Sequence, residues 1–365
     1  MKSHTLRVEK IGGTSMSRFP EIIDNIILRN EDDIFGRVYV VSAYAGVTDD
    51  LLEHKKTRQP GIYKLFEEQE NYPRKMLALR DRLVEFNQSL AGSGLDVSEA
   101  NDFIVDRIDL SINILRSMEN VLASGYVSRG ELLLAARELL ASLGEMHSAF
   151  NSANILKQRG YEATFVDLSG WEDGRQLTID QRIKDSFNEI DPFSTICFAT
   201  GYTKGTEGIM REFDRGYSEV TFSKVAVLLG ASEAIIHKEY HLCSGDPLMI
   251  GEEFAHPVCN TNYDVADQLA DVGMEAIHPK ASKPLEINSI PIRVKNAFDP
   301  DHPGTLITND FVAPESKVEI VTGSNQVVCI EIHDTRMVGE AGFDRRIMEV
   351  FDCHGVSYIS KMTNA

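Results

Sequence analysis

The chain is short of the features that would tie it to a membrane, a nucleic acid or an oxidising compartment. Its 365 residues carry 37 Lys and Arg against 56 Asp and Glu, a formal charge of -19. So few cations leave no long basic stripe, which argues against nonspecific binding to nucleic acid or to an anionic membrane surface. No apolar run is long enough to span a bilayer, and the chain reaches a strand-like run, Thr5 to Ile11, with no secretory hydrophobic region before it. The five cysteines (Cys197, Cys243, Cys259, Cys329 and Cys353) form no Cys-x-x-Cys pair, and an odd number cannot complete a disulfide set. Reduced thiols in a cytoplasmic protein are the expectation. The phosphate loop Gly-x-x-x-x-Gly-Lys-Ser/Thr, the dinucleotide fingerprint Gly-x-Gly-x-x-Gly and the protein-kinase catalytic loop are all missing, so the common nucleotide folds lack support.

What is present is globular. A hydrophobic fraction of 42% and a charged fraction of 25% fit a soluble folded protein, and the length suits one large α/β domain with a small appendage. Residues Leu6, Val8 and Ile11 end in Gly12-Gly13-Thr14-Ser15, after which Phe19, Ile22, Ile23, Ile26 and Ile27 recur at helical spacing from a Ser17 cap. A second strand, Arg37 to Ser42, runs into the small-residue loop Ala43 to Thr48. From about Tyr63 to Phe150 the pattern is helical. Strand signals return at 163–168, 195–200, 234–236 and 291–294, separated by helical segments. This alternation predicts a mostly parallel sheet covered on both faces, with a ligand crevice at the carboxyl ends of its strands. Beyond the turn 311–316 the pattern restarts as strand (Val327 to Ile332), helix (Phe343 to Phe351) and strand (Val356 to Ser360). A βαβ piece of this size leaves its sheet short of partners, and a truncated module is expected.

An anionic ligand would need the few cations concentrated beside glycines. Lys10-Ile11-Gly12-Gly13-Thr14-Ser15 meets that need, with glycines that admit backbone N–H groups, hydroxyls that donate and one lysine charge. On these residues alone, a tight strand-to-helix turn bearing an exposed lysine fits equally well.

Read together with Val40 to Thr48, Gly144-Glu145-Met146-His147-Ser148, Gly201 to Gly205, Arg215-Gly216-Tyr217-Ser218-Glu219, Asp246-Pro247, Ile277-His278-Pro279-Lys280 and Pro303 to Ile307, this segment resembles the aspartokinases. The segments stand in family order and span nearly the whole chain. Glu9-Lys10-Ile11, Phe213 to Tyr217 and His237 to His241 look most like the branch associated with ectoine synthesis. The resemblance implies an amino-acid-kinase fold over residues 1–312 and a truncated ACT-like regulatory module over 318–365, sensing an effector at the loop Val338 to Gly342. It also implies transfer of the ATP γ-phosphoryl group to the β-carboxylate of L-aspartate, Mg²⁺ arriving with ATP rather than held by a protein-only site, and a homodimer.

By the same resemblance, Lys10, Gly12, Gly13 and Ser15 bind ATP phosphates, with Asp246 and Pro247 also at the nucleotide. Ser42 lines the reaction centre. Thr48, Glu145 and Arg215 hold aspartate, assisted by Ser218, with Glu145 on its amino group and Arg215 forked onto its α-carboxylate. Lys10, Arg215 and Glu219 are the expected catalytic groups, Glu219 as a polar or magnesium-linked carboxylate. Without the resemblance, Glu145 reads as a helix-start carboxylate and Arg215 as a surface cation.

Three departures from the family pattern stand out. Tyr217 and Glu219 replace a small residue and a shorter carboxylate, His237-Lys238 stand in place of Thr-Asp, and Glu275 replaces a lysine. Lys238 is expected to supply the nucleotide-side cation that Glu275 cannot. His278 reads as a structural histidine, and Lys280 fits a nucleotide contact and a solvated surface position equally. Rival readings are a kinase for another amino acid or nucleotide, and an amino-acid sensor of the same fold without catalysis.

Overall fold

The structure is a computed structural model. It describes all residues except 1–4, 56, 214–215, 252, 272–276, 324–327, 338–340, 357, 359 and 363–365.

Eight strands build one sheet: β1 (Arg7–Ile11), β2 (Arg37–Val41), β3 (Ala163–Val166), β4 (Ile196–Thr200), β5 (Glu233–Lys238), β6 (Asn260–Asn262), β7 (Ile292–Asn296) and β8 (Thr305–Thr308). Their order is β3-β4-β2-β1-β5-β7-β8-β6. Every pairing is parallel except that of β7 with β8. Every residue of β2 and β4 is buried, as expected of strands covered on both faces. From β1 the chain moves to β2 on one side, and it later returns to β5 on the other. The strand order therefore reverses at β1, which opens a crevice at the carboxyl ends of β1, β2 and β5.

The helical stretch is observed as Tyr72–Ser89, Val97–Ser124 and Arg129–Gln158, preceded by the shorter Ile62–Glu67. The third of these packs on β3 and β4, and its residues from Leu140 to Ala149 are all buried. This is why a run rich in Ser, Gly, Glu and His lies inside the molecule. Helix Tyr217–Leu228 covers the β1 and β5 side of the same face, against helix Pro279–Ile287.

Several sequence expectations need correction. Ser17 caps no long helix: one turn, Gly13–Met16, is followed by Phe19–Ile22 and a π-helical turn, Ile23–Ile27, while the Ser17 hydroxyl accepts from the Ala45 N–H at 2.8 Å. Ile22, Ile23, Ile26 and Ile27 are nonetheless all buried, as their shared face requires. Strands β6 and β8 were not expected, being three and four residues long, the first wholly and the second half polar. The described parts of 327–332 and 356–360 form no strand; helix Phe343–Cys353 forms but buries none of its residues. Among the described residues these segments find no strand to pair with, and β propensity alone does not make a sheet. Residues Ile320 and Val321 nonetheless reach the domain, Ile320 against the core and Val321 N–H on the Ser244 carbonyl at 2.9 Å.

Candidate active site

The loops that follow β1, β2, β4 and β5 converge at the crevice. Gly13 lies against the chain after β2, where a Cβ would stand 2.6 Å from the Ala43 carbonyl oxygen, so only glycine fits. At Gly12 an added Cβ would make ordinary contacts, 3.8 Å from the His237 carbonyl oxygen and 3.9 Å from Glu239 Oε1. Ser15 is fully buried and its hydroxyl donates to Glu239 Oε1 at 3.2 Å. The helix that begins at Gly13 is a single turn, so it brings little helix dipole to the crevice.

Alternation along β1 sends Lys10 to the face covered by helix Tyr217–Leu228. There its Nζ stands 3.2 Å from Glu219 Oε1, and Glu219 Oε2 accepts from the backbone N–H of His278 at 2.8 Å. Burial would raise the Glu219 pKa, but Lys10, Lys238 and the His278 N–H outweigh it and hold the carboxyl at about 2. The group is ionised at neutral pH. Lys238, at the end of β5, lies on the same face, two residues beyond the partner of Lys10 in the register. Its charge helps to hold Glu219 ionised.

Glu145 sits midway along helix Arg129–Gln158. The preceding Gly144 lets that helix come close, since a Cβ there would meet Ala43 Cβ at 2.6 Å and Val47 Cγ1 at 2.9 Å. Glu145 is buried and its Oε2 has no hydrogen-bond partner. Burial pushes its pKa well above the ordinary carboxyl value, against the opposing pull of Lys10 and the Tyr202 N–H. Ser42 Oγ and Ser218 Oγ are 3.2 Å apart, and the Ser42 carbonyl accepts from Ser148 Oγ at 2.8 Å. Gly201 binds these elements together: a Cβ at that position would lie 2.6 Å from Ser218 Cβ, 2.8 Å from the Val41 carbonyl and 3.1 Å from Glu145 Oε2.

Tyr217 does not block the centre. Gly216 adopts φ +81° at the helix start, and the buried Tyr217 ring turns into the core, edge-on to Tyr202 at 6.2 Å. That leaves Ser218 and Glu219 directed at the site. His278 is structural, its Nδ1 accepting from the Lys280 N–H at 3.2 Å to cap helix Pro279–Ile287. Lys280 is exposed, its ammonium 4.9 Å from the Phe213 ring centre.

Of the remaining expected residues, Thr48 is half-buried on the short helix Val47–Leu51, the element that Gly144 admits. Asp246 is exposed and Pro247 opens helix Pro247–Ile250, on the loop beyond β5. Arg215 and Glu275 lie outside the described residues. The sequence reading missed Glu239, Ser148 and the two N–H groups of Tyr202 and His278. A carboxylate just after a strand end, opposite a glycine loop, was the available signal for Glu239; backbone donors leave none.

A crevice at the strand reversal, a glycine turn carrying a lysine and a covering helix that returns a carboxylate to that lysine together describe a phosphoryl-transfer site without a Walker loop. The model of the amino acid kinase family matches residues 5–296, and the chain belongs to that family. Within it, the chain is 44% identical over 363 residues to Aspartate kinase Ask_Ect of Stutzerimonas stutzeri (strain A1501), an alignment covering 98% of this chain and 76% of that one. It thus stands among the aspartate kinases, as the sequence motifs indicated. Among solved structures, E. coli aspartokinase III in complex with lysine and aspartate matches with a TM-score of 0.65 over 99% of this chain and 77% of that chain. The same enzyme in complex with aspartate and ADP gives 0.63 over 84% and 65%. At 19% identity, both establish the fold alone.

Proposed function

We infer that the chain is an ATP-dependent aspartate kinase, transferring the γ-phosphoryl group to the β-carboxylate of L-aspartate to give 4-phospho-L-aspartate. The observation that carries this reading is Glu145: a buried carboxylate oxygen without a partner, beside the Lys10–Glu219 pair and the Ser42–Ser218 contact. A buried carboxylate with one oxygen left without a partner is costly, and the ammonium of an amino acid is the group that relieves it. A phosphate or a nucleobase acceptor offers no such cation.

The acceptor carboxylate is already ionised at neutral pH, so the chemistry needs no general base. It needs two anions brought together and the charge on the transferring group neutralised. Lys10, aided by Lys238 and the backbone at Gly12 and Gly13, supplies positive charge at the nucleotide. Glu219 keeps Lys10 in place and, with Glu239 across the glycine loop, offers carboxylates to a Mg²⁺ that arrives with ATP and remains mostly bound to phosphate and water. Ser42 and Ser218 stand between the two substrates, and Arg215 takes the α-carboxylate. Asp246 and Pro247 border the nucleotide. Lys238 in the cluster agrees with its having taken over the charge that Glu275 lacks.

The same reading divides the chain into a catalytic unit, 1–312, and a partial ACT-like unit, 318–365, and makes the protein a cytoplasmic homodimer feeding aspartate-family amino acids or ectoine. No described helix is long and apolar enough to cross a membrane. The test is ATP- and Mg²⁺-dependent acyl phosphate trapped as hydroxamate, comparing aspartate, glutamate and no acceptor in the wild type and Lys10→Ala. Aspartate-specific product that disappears in the variant is the expected result. Glutamate-specific product would remove the assignment of the acceptor, and no product from any acceptor would favour a sensor.

A further inference from the structure

The face of the sheet opposite Lys10 holds a cavity of ≈ 160 Å³ that the kinase reading does not use. In the strand register Arg7, Glu9, Arg37, His237 and Lys295 share that face, while Lys10 and Lys238 share the other. Four cations line the cavity, Arg7, Arg29, Arg37 and Lys295, against two carboxylates, Glu9 and Asp33. This is the reverse of the chain as a whole, whose formal charge is -19.

Both carboxylates already have partners. Glu9 takes two hydrogen bonds from Arg37, at 2.6 and 3.0 Å, and one contact from His237 Nε2 at 2.7 Å. Asp33 pairs with Arg7 at 2.5 Å. Arg29 reaches the exposed Asp301 at the rim, and the shortest hydrogen bond of Lys295 is a long one, 3.5 Å to the Pro300 carbonyl. The surplus of positive charge is felt at Lys295: burial lowers its pKa, and Arg29, Arg293 and Arg37 lower it further against the single pull of Glu9. A polar cavity with cations in excess and a desolvated lysine in its wall lacks an anion.

We propose that this cavity is a binding site for a small oxyanion of the phosphate or sulfate type, held by Lys295 and Arg29 in the field of the fixed Arg37 and Arg7. Its volume is below the roughly 300 Å³ at which drug-sized ligands begin to fit, which excludes a nucleotide. The site is separate from the nucleotide crevice, with the sheet between them. Because β1 and β5 carry Lys10 and Lys238 on one face and Glu9 and His237 on the other, a bound anion would brace the two strands that position the catalytic lysines.

The test is titration calorimetry of the full chain with inorganic phosphate and then sulfate, in the Lys10→Ala background, where the nucleotide site has lost its main cation. One saturable site that weakens at least about tenfold in Lys10→Ala/Lys295→Met, the loss of a charge-assisted hydrogen bond, supports the proposal. Arg29→Gln, on the rim, gives the same reading if Lys295→Met fails to fold, and crystals soaked in tungstate should show density against Lys295. No saturable binding in Lys10→Ala, binding indifferent to both cavity variants, or tungstate found only elsewhere would each overturn it. None of these results depends on hydroxamate formation, so failure of the kinase reading and failure of this one are seen separately.

Discussion

Two neighbouring residues of β1 place a carboxylate and a lysine on opposite faces of one strand, and the two buried ion pairs they make are different in kind. Glu9 is saturated, with both oxygens bound by Arg37 and one also by His237, and all three residues are under a tenth exposed. Lys10 has, among the described residues, the 3.2 Å contact with Glu219 and keeps 12% of its side chain exposed, as does Glu219. A fully satisfied buried network fixes structure, whereas a pair with spare hydrogen-bonding capacity and an opening to solvent can exchange partners with a substrate. On this argument the Glu9 face holds the sheet together and the Lys10 face does chemistry.

The comparison is most exposed to a pair of variants. Glu9→Ala, which strands the Arg37 guanidinium in the core, should cost about 3–5 kcal/mol in denaturant unfolding. Lys10→Ala should cost only about 1–2 kcal/mol, because Lys238 and the His278 N–H still face Glu219, yet lower kcat on the order of 10²–10³-fold. Equal stability losses would break the distinction between the faces. Next in size, Glu145→Gln should raise the aspartate KM roughly ten- to a hundredfold and leave the ATP KM within about twofold, the signature of a lost charge-assisted contact.

A smaller effect concerns protons. The free Glu145 carboxyl, its pKa raised by burial, is stabilised in the protonated form. Arrival of the aspartate ammonium favours the ionised form, so binding should release a proton and tighten as pH rises towards that raised pKa. Calorimetry in buffers of different ionisation enthalpy measures the release, and a buffer-independent enthalpy would count against it. Glu219 behaves oppositely. With its pKa lowered from 4.5 to about 2, its contribution to stability is complete above pH 4.5 and fades as pH falls towards 2, so Glu219→Gln should flatten the acid limb of an unfolding profile. The least change is expected from Ser15→Ala, a shift of under about tenfold in the ATP KM, since backbone amides and Lys10 remain.

What could be read in the sequence followed from local rules. The strand-glycine turn at Ile11–Gly13, the strand-serine turn at Val41–Ser42 and the buried β4 each carry their own signal, and all were found. Glu145 was different, since inside a helical run nothing local distinguishes a buried carboxylate from an exposed one, and only the resemblance to a family pointed to it. The errors came where tertiary context decides. Asn260–Asn262 is too short and polar to look like a strand until β8 lies beside it. The run after Val327 looks like one but has no partner among the described residues. The bulk of Tyr217 is visible in the sequence and its direction is not; beside Gly216, at positive φ, the ring lies buried in the core.

Helix Arg129–Gln158 carries one further consequence. Its 30 residues extend for about 45 Å at ~1.5 Å per residue, and Glu145 lies close to the middle. Helices fray from their ends, and opening fluctuations that begin there rarely reach the centre of so long a buried rod. The backbone amides around position 145 should therefore be among the last to exchange with deuterium, giving up their protons only when the whole domain unfolds. In the role proposed for Glu145, a group mounted there does not loosen gradually on warming: selectivity for the acceptor should persist almost unchanged up to the melting transition and then vanish together with the fold.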